Sequence, residues 1–162
     1  MRYQKIIGAD NRIANAVPFG RRLKRFLREP EQRSLGQERC WRAGGSWILA
    51  DALAHWSKGG LRIAALVRPD HRVAHVVAEA PEIGAYVDAD GVAGRLELMA
   101  KMAMVVREPL LEIVVFSPLE ARRAGLEYDE DTAVELALRL LRRFSSYQQG
   151  LLALPKWTPT AG

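Results

Sequence analysis

Apolar positions recur along the chain with two different spacings, which predicts a mixture of helices and strands. An amphipathic pattern predicts a basic helix over residues 19–28, ended by Pro30. A nearly all-round apolar run predicts a buried central helix over 46–56, terminated by Gly59 and Gly60.

Three short apolar segments, each bounded by Pro, Gly or Asp, predict strands at 61–67, 73–79 and 84–89. A Met-rich helix over 92–106, an apolar strand at 110–116, a short helix from Pro118 and a long helix over about 131–152 follow. This order predicts an α+β fold, with the central helix packed on a small antiparallel sheet and extra C-terminal helices covering it. We divide the single domain into a basic helical extension (1–36), a core (37–116) and C-terminal helices (117–155).

Length and composition narrow the class of protein. The 162 residues suit one domain with a single core, and 49% hydrophobic with 27% charged residues is typical of a globular chain. No apolar run approaches the roughly 18 to 20 residues that span a bilayer, and the N-terminus lacks the features of a secretory signal. Cys40 is the only cysteine, so no internal disulfide can form. We therefore expect a cytoplasmic protein without a membrane span, or one exported without a cleaved signal peptide.

The net charge of +5 comes mainly from arginines in two segments, 21–33 and 138–144. Such clusters can hold phosphates or an acidic membrane surface, although a solvated helix face gives the same pattern. Aromatic residues make up only 7% of the chain, so platforms that stack bases are not expected. The composition therefore does not favour nucleic acid as a partner.

Two glycines precede a serine where the central helix begins. A nucleophile in the first turn of a buried helix lies near unpaired backbone N–H groups, which lower the pKa of a thiol and help to hold an oxyanion. Ser46 occupies that position, Gly45 would let a substrate backbone pass close by, and Trp47 follows. Alternatively, Ser46 only caps the helix, since serine is a favoured N-cap residue.

The strands at 73–79 and 84–89 supply a second candidate group. If they pair so that Glu79 faces Gly84, His75 lies directly opposite Asp88, on the same face and at the ~4.5 to 5.5 Å Cβ separation of cross-strand pairs. A carboxylate there fixes the tautomer of an imidazole. Asp90, two residues further on, replaces Asp88 if the register slips. The alternative is a partly buried histidine bonded to a nearby acid.

Taken together, AGGSWILADAL (43–53), HVVAE (75–79) and YVDADGV (86–92) resemble the papain-like fold superfamily, in its compact bacterial branches, and the related transglutaminase-like enzymes. The resemblance covers about residues 37–92. It implies a nucleophile at position 46, His75 as general base and then acid, and Asp88 as the residue that orients it. The backbone N–H of residue 46 would help to hold the oxyanion, and Gln37 is the nearest upstream candidate for its side-chain partner.

The chain departs from those families at the nucleophile, where they have cysteine and this sequence has Ser46. A hydroxyl is too weak an acid to form the thiolate–imidazolium pair on which they rely. Three explanations are open: a Cys-to-Ser inactivation made for structural work, which we favour, a natural serine variant, or a degenerate binding protein. Cys40 is a rival nucleophile because a tryptophan also follows it, but the helix begins about five residues later and no glycine precedes it.

Histidine spacing raises the question of a metal site, because His71 and His75 are four residues apart and His55 lies upstream. That spacing brings ligands together on a helix, whereas this pair runs from a turn into a strand. We expect no metal and no cofactor, and we expect His55 to be a packed core residue.

The sequence thus predicts a thiol hydrolase or acyltransferase acting on an amide or isopeptide bond of a protein or peptide substrate. The alternative is a non-enzymatic module that binds an acidic partner or nucleic acid through its arginine-rich helix. Nothing in the sequence indicates the oligomeric state.

Overall fold

The computed structural model describes residues 2–36, 40–42, 44–109, 112–123 and 129–145. The helices are α1 (Arg2–Leu27), α2 (Pro30–Leu35), α3 (Ser46–Trp56), α4 (Arg95–Val106), α5 (Pro118–Arg123) and α6 (Glu130–Phe144). The strands are β1 (Arg62–Val67), β2 (Val73–Ala80), β3 (Ala85–Asp88), β4 (Gly91–Gly94) and β5 (Glu112–Val115). Within these ranges, no helix combines the length and apolar character needed to cross a bilayer.

The five strands form one antiparallel sheet in the order β4-β3-β2-β1-β5. Strands β1 to β4 follow one another as neighbours, and the segment containing α4 leads from β4 at one edge to β5 at the other. Short connections between successive strands force antiparallel pairing, because a parallel pair needs a long crossover. The α+β fold class predicted from the sequence is confirmed, with helices packed against an antiparallel sheet.

Different helices cover the two faces of the sheet. On β2, Val76 and Ala78 belong to buried clusters that include residues of α3. Val77, between them, belongs to a cluster with Leu98 and Met102 of α4. Because successive side chains of a strand point to opposite faces, this part of β2 presents its even-numbered residues to α3 and its odd-numbered residues to α4.

Helix α1 is longer than predicted and belongs to the core. It begins at residue 2 rather than 19 and continues through Pro18, which removes one backbone donor without ending the helix. Phe19 and Leu23 are buried in one cluster with residues of α3 and α6, and the Phe19 ring stacks on Trp56 with the centroids 5.1 Å apart. The segment predicted as an N-terminal extension therefore supplies part of the main hydrophobic core.

The backbones of α1 and β4 touch at Gly20. A Cβ atom on Gly20 would lie 2.5 Å from the backbone nitrogen of Val92 and 3.0 Å from the carbonyl carbon of Gly91. Gly91 itself has a φ angle of +125°, a conformation that side chains rarely adopt. Gly20 thus lets the helix lie directly against the strand, whereas Gly91 supplies the backbone conformation at the start of β4.

Two predicted boundaries are wrong. Pro30 begins α2 instead of ending a helix, since proline suits the first helical turn, where a backbone N–H has no partner to lose. Residues 91–94 form β4 where the sequence predicts the start of a helix, because pairing with β3 outweighs helical spacing there. The predicted strand at 110–116 is β5 over 112–115, and the predicted helical residues from 146 to 152 lie outside the described ranges.

Candidate functional site

Helix α3 begins at Ser46, with Gly45 as its N-cap residue and no side-chain cap. The possibility that Ser46 caps the helix is therefore wrong. Gly45 is needed for packing: its N–H donates to the carbonyl of Cys40 at 2.9 Å, and a Cβ atom there would lie 3.1 Å from both that oxygen and the Trp41 ring. Since Cys40 and Trp41 fill the space beside Gly45, the glycine does not leave a path for a substrate backbone there.

His75 and Asp88 form a buried pair across strands β2 and β3. The His75 Nε2 and Asp88 Oδ2 atoms are 3.3 Å apart, and both side chains are under 10% exposed. The predicted register is wrong by two residues, since Glu79 pairs with Tyr86 and not with Gly84. Asp88 is therefore diagonal to His75, and the contact survives because a two-residue shift keeps both side chains on one face and an imidazole can reach a diagonal neighbour.

Asp88 is ionised over the ordinary pH range. Burial opposes its ionisation, but the hydrogen bond to His75, the charge and hydrogen bond of Lys101 and the backbone N–H of Asp90 outweigh burial and lower the pKa of Asp88 to about 2. An ionised carboxylate only accepts hydrogen bonds, so the proton of a neutral His75 ring is on Nε2. That tautomer makes Nδ1 the basic nitrogen, and Nδ1 has no hydrogen-bond partner among the described residues.

Three cations surround the turn that follows Asp88. The Lys101 ammonium lies 3.0 Å from Asp88 Oδ2 and 3.6 Å from Asp90 Oδ2. Asp90 also pairs with Arg42 at 2.6 Å and with Lys24 at 3.7 Å, and its N–H donates to Asp88 Oδ1 at 2.8 Å. These contacts tie α1, the segment before α3, and α4 to the carboxylates at the end of β3.

Ser46 lies at the same end of the sheet as the His75–Asp88 pair. Arg42, four residues before Ser46, reaches Asp90. Trp47, the residue after Ser46, belongs to the same buried cluster as Val76, the neighbour of His75.

The three predicted triad residues are nevertheless not joined. Ser46 begins α3 on one face of the sheet, whereas His75 pairs with Leu66, which packs in the cluster of α4 on the other face. No hydrogen bond links Ser46 with the His75 ring in the described part of the chain. The structure therefore contains the histidine–carboxylate half of the predicted triad, with the residue at position 46 apart from it.

The other predicted site residues have different roles. Trp47 is 2% exposed and packs in the core, so it is not a surface for substrate. Asp90 does not replace Asp88 beside His75; it is held by Arg42 and its neighbours. Gln37 lies outside the described residues.

The remaining histidines lie apart from this site. His55, expected in the core, has a half-exposed side chain and lies 3.5 Å from Asp51 on the next turn of α3, because position 55 is on the outer side of the helix. His71 is in an exposed turn before β2. In the described ranges, no three His, Cys, Asp or Glu side chains converge as a set of metal ligands, and Cys40 is exposed.

Lys101, Arg42 and Lys24 are the functional candidates that sequence reasoning missed. Lys101 is the lone cation in the apolar stretch LELMAKMAM, and such an isolated charge on a packed helix indicates a buried or half-buried partner. Arg42 and Lys24 carry no comparable signal, because their partner Asp90 is distant in sequence.

Comparisons with known proteins add no relative: no family model, no curated protein and no solved structure matches the chain.

Proposed function

We propose that the chain carries an acyl-transfer centre that acts on an amide or isopeptide bond, with the nucleophile at position 46, His75 as base and Asp88 as the orienting carboxylate. The buried His75–Asp88 contact carries the proposal. It holds the ring so that Nε2 faces the carboxylate and Nδ1 is the nitrogen that can take a proton.

The position of residue 46 supports the assignment of the nucleophile. It is the first residue of an 11-residue helix, and its side chain is largely buried. Unpaired N–H groups in that turn favour negative charge, both on a thiolate and on the oxygen of a tetrahedral intermediate. Because the sheet lies between position 46 and His75 in the structure, catalysis requires a rearrangement at this end of the sheet that brings position 46 to hydrogen-bond distance of His75 Nδ1.

The reaction follows from these groups with a thiol at position 46. The thiol proton moves to Nδ1 of His75, and the thiolate attacks the amide carbon to give an oxyanion. When the C–N bond breaks, the imidazolium returns the proton to the leaving amine and an acyl thioester remains. Water or a second amine then attacks the thioester and loses its proton to His75. The C–S bond breaks to release the acid or the new amide, and the imidazolium returns its proton to the thiolate at position 46. The Ser46 form lacks the acidity for the first step, so we expect it to be inactive or nearly so.

Thiol labelling tests the proposal without knowledge of the substrate. The test protein carries Ser46→Cys and Cys40→Ser, so that position 46 holds its single cysteine. We expect iodoacetamide to react with it at pH 7 at least about tenfold faster than with a small cysteine amide, since lowering a thiol pKa by one unit raises the thiolate fraction roughly tenfold. His75→Ala in the same background should remove the enhancement.

The carboxylates provide a matched pair of controls. Asp88→Asn should reduce the labelling rate because it removes the charge next to Nε2, whereas Asp90→Asn should have a smaller effect because Asp90 does not contact the ring. Two results would contradict the proposed function: a thiol at position 46 that reacts no faster than the cysteine amide, or a labelling rate that does not change in His75→Ala.

A further inference from the structure

An arginine-rich surface lies between α1 and α6, away from the residues discussed above. Two adjoining grooves of about 390 and 230 Å³ share Phe26 and Arg143 in their walls. In the described part of the chain, five arginines line them, and we call these residues the arginine surface: Arg22, Arg25, Arg139, Arg142 and Arg143.

Arginines outnumber carboxylates in the walls of the grooves. Among the described residues, five arginines and three carboxylates line them. Arg143 pairs with Glu29 through two nitrogens at 3.0 and 3.2 Å, and Arg139 pairs with Glu135 at 2.9 Å. Arg25 and Arg142 are exposed and form no ion pair within the described residues.

The aromatic rings at this surface are not accessible to a ligand. Phe26 and Phe144 are each 3% exposed and pack edge to face with the centroids 5.4 Å apart. The Arg143 guanidinium covers the Phe26 ring at 5.3 Å. Among the described residues, this surface therefore offers guanidinium groups and no exposed aromatic ring on which a base could stack.

We propose that the arginine surface binds the phosphodiester backbone of a nucleic acid without reading its sequence. Guanidinium groups bind phosphate through two parallel hydrogen bonds. The grooves are open and four of their five arginines are exposed, so affinity has to come mainly from release of condensed counterions, which a nucleic acid supplies and an acidic peptide of lower charge density does not. The low aromatic content of the chain disfavours base stacking, and binding through phosphate contacts does not require stacking. The inference is independent of the proposed acyl-transfer centre.

Binding of a 20-base-pair, fluorescein-labelled DNA duplex of mixed sequence, followed by anisotropy between 50 and 200 mM KCl, tests the inference. Arg25→Gln with Arg142→Gln should weaken binding roughly tenfold and make the slope of log K against log salt less negative by about 2, because each lost phosphate contact contributes about 0.9. Arg25→Lys with Arg142→Lys should largely keep the slope. The matched control, Arg72→Gln with Arg123→Gln, removes two exposed charges elsewhere and should leave binding nearly unchanged.

Three results would overturn the inference. The first is no binding at 50 mM KCl by the folded full chain. The second is an equal loss in the control variant, which would mean that net charge alone attracts DNA. The third is tighter binding of a poly-glutamate peptide than of the duplex, which would identify an acidic protein segment as the ligand.

Discussion

His75 and Asp88 meet diagonally across two antiparallel strands, with Nε2 and Oδ2 3.3 Å apart in a buried setting. A diagonal pair lies roughly 7 to 8 Å apart at the backbone level, so only a long or flat side chain can close the distance. The imidazole ring does so, and Lys101 reaches the same oxygen from α4. One carboxylate oxygen thus holds both a strand residue and a helix residue in place.

The fall in the free energy of unfolding at acid pH should depend on Asp88. Folding lowers the pKa of Asp88 to about 2, so its ionised form stabilises the folded state above the unfolded pKa of about 4. This stabilisation is lost as the pH falls toward about 2. We expect Asp88→Asn to cost about 2 kcal/mol at pH 7 and progressively less below pH ~4. Urea unfolding followed by circular dichroism at several pH values measures this difference. A cost that stays constant down to pH ~2.5 would show that Asp88 acts through packing rather than charge.

Gly20→Ala should destabilise the protein although alanine is the better helix former. The added Cβ would lie 2.5 Å from the nitrogen of Val92, so α1 and β4 have to separate, at a cost of roughly 1 to 3 kcal/mol or more. Gly44→Ala is the control, because nothing lies within 4 Å of its Cβ position. Thermal unfolding of the two variants distinguishes them, and a stabilised Gly20→Ala protein would show that α1 does not touch the strand in solution.

His55 and Trp56 are adjacent on α3 but should respond differently to truncation. His55 is half exposed, so His55→Ala should change the free energy of unfolding by at most about 0.5 kcal/mol. Trp56 is fully buried and stacks on Phe19, so Trp56→Ala should cost about 3 to 5 kcal/mol. Chemical denaturation measures both. Comparable losses would mean that α3 is rotated relative to the structure.

The start of α6 should depend on Asp129. Its carboxylate accepts from the Thr132 backbone N–H at 3.1 Å and from the Thr132 hydroxyl at 2.7 Å. Asp129→Ala should lower stability by about 1 kcal/mol, whereas Asp129→Asn, which can still accept, should cost less. If the two substitutions cost the same in urea unfolding, the negative charge rather than the cap would be the stabilising element.

Most helices and strands could be predicted because the spacing of apolar residues and the turn residues at their ends are local features of the sequence. The apolar spacing within β2 and within α3 was enough to predict them, whichever element packs against them. Both were placed within a residue or two. The 17 residues of α1 before Phe19 were missed because the prediction rested on an amphipathic pattern that begins at Phe19. Contacts that are distant in sequence hold part of this segment: Ala16 is buried in the main cluster, and Arg12 donates to the Glu82 carbonyl at 3.3 Å.

The candidate site was only partly accessible from the sequence for the same reason. Alternation along two neighbouring strands was enough to put His75 and Asp88 on one face, even with the register two residues out. The face on which α3 packs depends on the whole sheet and on the helices that cover it. No local pattern in the sequence could therefore predict that Ser46 is separated from His75 and Asp88. The ion pairs of Asp90 with Arg42 and Lys24 likewise join segments that are far apart in the chain.

The contact between Gly20 and Gly91 means that α1 is attached to the sheet by more than the chain that follows it. Phe19 and Leu23, on either side of Gly20, are buried in the main cluster. A single proteolytic cut between Gly36 and Gly44 would therefore give two fragments that stay associated under native conditions and separate only in denaturant. By the same reasoning, the N-terminal fragment added in trans should reassociate with a chain that lacks it, with α1 behaving as a complementing piece of the interior.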